Sequence, residues 1–234
     1  MKMARLLAVL MTAFCTTLTV SAQTTDLFQY VGSEIQSKTA YISESSRETN
    51  SQSIPSEVKI YTYEKIELSS PSKQNKYSLN LLGFQPSCEE GFDGIRINDN
   101  SGKLLLTHWG YSPLNDVSYI SMKPNGAPKY IIVPLDDDAF AIVLGGIIYD
   151  SDDDSPEMLI VVVKGNQAKV VYDGPALAYS YTSAPNFSVE FVAVMDWKQN
   201  SYGNDETPTA EPLSSKTKHK IWKEGNMLKY KSWK

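Results

Sequence analysis

At 234 residues the chain is long enough to bury a substantial core in one large domain or two small ones. Its 22 basic and 27 acidic residues leave a formal charge of −5, which argues against nucleic-acid binding, a function that rests on lysine and arginine neutralising phosphates. The two histidines, His108 and His219, stand far apart and in no zinc-ligand spacing.

Residues 1–22 read as a secretory signal peptide. Lys2 and Arg5 supply the charged start and residues 6–18 the short apolar stretch. Val20, Ser21 and Ala22 are the small residues after which a peptidase cuts, leaving Gln23 first. The apolar stretch falls short of the about 20 residues that cross a bilayer, so no transmembrane segment is expected after cleavage. Cys15 follows Phe14 rather than a small residue, which argues against a lipid anchor. The mature chain of 212 residues carries a charge of about −7, because Lys2 and Arg5 leave with the leader. Cys88 is then its single cysteine, and no internal disulfide forms. A small buried hydrophobe is the expected role, with a reactive or intermolecular thiol as the alternative.

Residues 23–56 divide into a helix and a linker. Leu27, Val31 and Ile35 recur every four residues across 24–38, on one helical face. Thr25 or Asp26 caps that helix, and Gly32 weakens it. Residues 43–57 are rich in Ser, Glu, Asn and Gln and read as a linker.

Residues 57–198 read as a β-rich core. Along 57–68, Val58, Ile60, Thr62 and Glu64 alternate with Lys59, Tyr61, Tyr63 and Lys65, one set on each face of a strand. Further strands are expected at 76–84, 94–97, 103–108 and 117–122. Lys123-Pro-Asn-Gly126 then marks a turn.

The next stretch, 130–173, organises the rest of the chain. Short runs rich in Val and Ile at 130–135, 139–149, 158–163 and 168–172 are separated by Asp, Gly and Pro, the pattern of a β-meander. Gly165-Asn166 supplies the positive φ of a two-residue hairpin turn, so Val163 should face Ala168 and Val161 should face Val170. Residues 159–163 show no polar alternation, as expected for a central strand covered on both faces. Gly145 and Gly146 interrupt the second run and predict a bulge or bend. Alternating strand directions place residues 150–157 at one end of the meander beside Asp173. They place Asp136, Asp137 and Asp138 at the other, beside Gly165.

After Asp173-Gly-Pro175 a polar, Tyr-rich stretch reads as a connection. Residues 187–197 form a strand with Phe187, Val189, Phe191, Ala193, Met195 and Trp197 on one face. Residues 199–234 read as a linker followed by a hairpin, 219–223 and 227–233 about Glu224-Gly-Asn226. Seven lysines from Lys216 to Lys234 stand against one acid, Glu224. Such a tail suits contact with an anionic envelope surface, and lysine on an edge strand also discourages aggregation.

The acidic turn carries the clearest chemical signal. Asp150, Asp152, Asp153 and Asp154 are four carboxylates in five residues, with Glu157 close by. Flexible loops of oxygen ligands suit calcium, and alternate positions turn Asp150, Asp152 and Asp154 inward. The segment Asp150-Ser-Asp-Asp-Asp-Ser-Pro-Glu157, followed by Met-Leu-Ile-Val-Val, resembles the calcium loop of FG-GAP repeats, the blades of integrin-alpha-like β-propellers. Ser155 stands where that family has Gly, Glu157 arrives one residue early, and no second copy occurs. The resemblance implies a blade-like sheet and calcium held by Asp150, Asp152, Asp154 and Glu157; the meander, independently of it, returns Asp173 to the same end as an extra ligand. The alternative is a solvated acidic turn.

Nucleophile motifs are incomplete. Gly110-Tyr-Ser-Pro-Leu114 lacks the final glycine of a nucleophile elbow, and Ser70-Pro-Ser-Lys73 has no companion motif. Tyr61, Tyr63, Trp109, Tyr111 and Tyr119 suit either an aromatic platform or core packing. The expected architecture is all-β, a mostly antiparallel meander with sandwich-like or propeller-like packing of two sheets and a short N-terminal helix. The expected role is an exported, non-catalytic binding module of a bacterial cell envelope, meeting a protein or glycan partner. A carboxylate-dependent hydrolase and a periplasmic inhibitor or immunity protein are the alternatives.

Overall fold

The computed structural model describes residues 26–36, 57–86, 92–109, 118–120, 130–149, 154–175, 177–192 and 218–234. Among them the named strands pair antiparallel throughout and form three sheets. The first sheet is a meander of β1 (Tyr61–Ser69), β2 (Lys76–Gly83), β3 (Gly94–Asp99) and β4 (Leu104–Trp109). The second holds β5 (Ser118–Ile120), β6 (Tyr130–Pro134), β7 (Ala139–Tyr149), β8 (Asp154–Lys164) and β9 (Gln167–Pro175). The third holds β10 (Leu177–Thr182), β11 (Ser188–Val192), β12 (Lys218–Glu224) and β13 (Met227–Trp233). The all-β, antiparallel expectation is borne out, with three layered sheets in place of two.

The middle sheet is apolar on both faces because a sheet covers each. On β7, Phe140, Ile142 and Leu144 enter the core shared with the first sheet, while Ala139, Ala141 and Val143 enter the core shared with the third. On β8, Leu159, Val161 and Val163 take the first side and Met158, Ile160 and Val162 the other. The side-chain period of two thus splits one apolar run between two cores. The first core is completed by Leu68, Tyr77, Leu79, Leu81, Ile95 and Ile97, the second by Phe187, Val189, Phe191, Ile221 and Leu228.

The β8–β9 hairpin has the expected register, Val163 against Ala168 and Val161 against Val170. Gly165 takes φ 55° and Asn166 does not lie in the left-handed region, the signature of a II′ turn with glycine first. Gly225-Asn226 repeats it between β12 and β13, with Gly225 at φ 59° and Glu224 paired to Met227.

Three expectations need correction. Gly145 and Gly146 make no bulge, since β7 pairs β8 in one unbroken register from Ala139–Lys164 to Tyr149–Asp154. They mark a change of neighbour instead: β6 flanks β7 from Phe140 to Leu144, and β5 flanks it from Ile147 to Tyr149. The acidic break is shorter than eight residues, because β8 already begins at Asp154. Pro156 fits that strand because β9 pairs only from Glu157 onward, so the missing N–H falls where β8 has one neighbour. The polar stretch after Pro175 is strand β10, paired with β11. The C-terminal hairpin joins that same sheet, Ile221 opposite Val189.

The N-terminal helix is broken into turns. A 3-10 turn, Leu27–Tyr30, is capped by the Asp26 carboxylate accepting the Phe28 amide at 3.0 Å. Val31 then bridges to Leu228 of β13, and the Gly32 amide donates to the Leu228 carbonyl at 2.8 Å. Residues 33–36 resume one helical turn. Leu27, Val31 and Ile35 are all buried in the second core, so their spacing marked the inward face although no continuous helix carries them.

Candidate functional site

Two polar clusters sit between the layers. In the first, β4 brings His108 opposite Ile95, and β9 brings Asp173 opposite Leu159. His108 Nε2 lies 2.8 Å from Asp173 Oδ2, and both residues are buried, at 7% and 5% exposure. Gly94 permits the close approach of β3 to β4 here: a Cβ on it would fall 2.3 Å from the Trp109 ring and 2.7 Å from the His108 carbonyl oxygen. Trp109 is buried and stacked on Phe84 with ring centroids 4.7 Å apart, which removes it from any exposed platform. A carboxylate fixing an imidazole is two-thirds of a nucleophilic triad. Among the described residues no serine, threonine or cysteine hydrogen-bonds to His108.

In the second cluster, the turn at Asp136 meets the N-terminal segment and the end of β8. The Tyr30 hydroxyl donates to Asp136 Oδ2, the Lys164 ammonium donates to the Tyr30 oxygen, and Lys164 Nζ lies 2.9 Å from Asp136 Oδ2. Asp136 Oδ1 accepts the amides of Asp138 and Ala139 at 2.8 and 2.6 Å, which shapes the β6–β7 turn. Burial pushes the Asp136 carboxyl up, but the bonds from Tyr30, Lys164 and the two amides outweigh it and hold the group well below the usual carboxylate range. The bond to Tyr30, then that to Asp136, holds Lys164 well above an ordinary lysine. Burial, then the bond to Asp136, raises the Tyr30 phenol. Proton transfer near neutrality needs a group poised near pH 7, and all three are driven away from it. The cluster pins the N-terminal segment onto the middle sheet.

Of the acidic residues singled out in the sequence, Asp150, Asp152 and Asp153 lie outside the described residues, as do Cys88 and Tyr111. Asp154 opens β8, and Glu157 pairs in the strands with Gly146 and Pro175. Asp173 is opposite Leu159, five residues along β8 from Asp154, a distance of about 17 Å at about 3.3 Å per residue. The structure therefore brings Asp173 to His108 rather than to the start of β8. An open groove of about 460 Å³ lies at the opposite end, lined by Asp26, Leu27, Leu105 and residues 166–169, with Lys169 Nζ 3.7 Å above the Phe28 ring.

A further feature is the outer face of the third sheet. His219, Ile221, Leu228 and Tyr230 point inward and are buried, which turns Lys218, Lys220, Trp222, Lys229, Lys231 and Trp233 outward. Lys220 and Lys231 are directly opposite each other, as are Trp222 and Lys229, and Lys218 and Trp233. Lys231 Nζ sits 5.9 Å from the Trp222 ring centroid and 5.1 Å from that of Trp233. Glu190 of β11 pairs with Lys220 at 2.9 Å, and the Trp222 indole donates to Glu224 at 3.2 Å. The lysine run was plain in the sequence; its segregation onto one face with both tryptophans follows from the β12–β13 register.

No protein family, no curated protein and no solved structure matches this chain.

Proposed function

We propose that the protein is an exported, non-catalytic binding module of a bacterial cell envelope, and that it binds through the outer face of the third sheet. The observation that carries this reading is the partition of its polar chemistry. The groups with catalytic potential, His108 with Asp173 and Tyr30 with Lys164, are buried or tied together between layers. The face made by β12 and β13 presents cations and indole rings outward, the residue types that anchor binding surfaces. The leader-like residues 1–22 support export.

The test is retention of envelope components by immobilised mature protein. The expected result is a component held by the wild type and lost by Trp222→Ala with Trp233→Ala, with both proteins melting alike. The hydrolase reading predicts instead turnover of ester or glycoside substrates that Asp173→Asn abolishes. Such turnover, or retention indifferent to both tryptophans, overturns the proposal.

A further inference from the structure

Resting on the binding-module reading above, we infer that the outer face of β12 and β13 docks on the surface of an anionic phospholipid bilayer. Charge complementarity is the first argument. Within a chain of net negative charge, the last 19 residues carry seven lysines and one acid, and the strand register places Lys218, Lys220, Lys229 and Lys231 on one face. Lys220 and Lys231 are direct cross-strand neighbours, a like-charge pairing that destabilises a sheet in isolation. Glu190 pairs with Lys220, and among the described residues no carboxylate lies within ion-pair distance of Lys229 or Lys231. A layer of phosphates outside the sheet relieves that repulsion.

The two tryptophans identify the kind of anionic surface. Indole rings settle at the headgroup level of bilayers, where one edge is wet and the other apolar, and lysines beside them are drawn to anionic lipid. Trp222 and Trp233 flank Lys231 on this face, and Met227 and Lys229 continue the same side of β13. A sugar chain is the weaker fit, because sheet faces that read hydroxyls use carboxylates and amides, and the acids here, Glu190 and Glu224, are engaged with Lys220 and Trp222.

Protection of an edge strand accounts for less of the pattern. The β13 edge is already met at Leu228 by Val31 and the Gly32 amide. Lys218 and Lys220 lie on β12, an interior strand that needs no guarding.

The experiment is co-sedimentation of the mature protein with phosphatidylcholine vesicles and with vesicles in which about 40% of the lipid is phosphatidylglycerol, at about 0.1 M salt. The expected result is binding to the anionic vesicles only, release at about 0.5 M sodium chloride, and a blue shift of tryptophan emission that Trp233→Ala diminishes. Lys229→Glu with Lys231→Glu should weaken partitioning by about tenfold or more. Lys76→Glu with Lys103→Glu makes the same charge change on exposed positions of the first sheet and should leave binding unchanged. Lys229→Gln with Lys231→Gln serves if the glutamate pair unfolds. Equal binding to both vesicles, no binding to the anionic ones, or wild-type binding by a folded Lys229 and Lys231 double variant overturns the inference. Retention of an envelope component without vesicle binding overturns the lipid assignment while the module reading stands; absence of both defeats the two together.

Discussion

His108 and Asp173, 65 residues apart in sequence, join the first sheet to the second through a 2.8 Å contact between buried side chains. Removing one partner leaves the other buried without it. His108→Ala should therefore lower unfolding stability by about 1–3 kcal/mol, the penalty when a buried polar group loses a hydrogen-bond partner. Asp173→Asn should cost less, because an amide still accepts a hydrogen bond. The double variant should lose less than the sum of the two, by about 1–3 kcal/mol in urea titrations. Strict additivity would show that the pair is not energetically coupled.

Two glycines make contrasting demands. A Cβ at Gly94 meets the Trp109 ring and a backbone carbonyl, so Gly94→Ala should cost about 2–3 kcal/mol through overpacking and should shift the emission of Trp109. A Cβ at Gly165 meets nothing within 4 Å, but its φ of 55° is left-handed. Gly165→Val should cost about 1–2 kcal/mol through backbone strain alone, with Trp109 emission unchanged. A wild-type melting temperature for Gly165→Val would remove the turn assignment.

What could be read in the sequence was local. Gly165-Asn166 set the register of β8 on β9, and the unbroken apolar run of β8 announced a strand covered twice. What escaped was set by distant partners. β10 carries Ser180, Tyr181 and Thr182 on an edge, so its alternation is faint, and only pairing with β11 makes it a strand. The N-terminal spacing of four is helical, yet the bridge from Val31 to Leu228 interrupts it. His108 and Asp173 gave no signal beyond an acid placed in an apolar strand, because the contact depends on how two sheets stack.

The acidic turn is tested by calcium and chelator. With Asp173 held by His108, the ligands the sequence offers are Asp150, Asp152, Asp154 and Glu157. Calcium bound there raises the melting temperature in millimolar calcium over chelator, a gain of about 2.7 kcal/mol at a hundredfold excess over Kd, and Asp152→Asn with Asp154→Asn abolishes it. An equal rise in sodium chloride of matched ionic strength assigns the effect to charge screening. A melting curve indifferent to chelator and calcium removes the site.

The Asp136 cluster makes stability depend on acid. Its carboxyl is held well below its ordinary value in the folded protein, the bonds from Tyr30, Lys164 and two amides overcoming burial. A group with a depressed folded pKa contributes stability that is complete above its unfolded pKa, about 3.9, and is lost as pH falls through the folded value. Lys164 is shifted upward by the same contacts, so its side of the interaction persists until alkaline pH, above about 10.4. Tyr30→Phe, which removes a hydrogen bond to a charged acceptor, should cost about 1.5–3 kcal/mol at neutral pH. Asp136→Asn should also destabilise, and its deficit against the wild type should stay constant from about pH 5 to 8 and shrink below about pH 4. Urea unfolding of both proteins across that range checks the sign. A deficit that widens in acid, or that does not change with pH, would show that the Asp136 charge does not hold the N-terminal segment to the middle sheet.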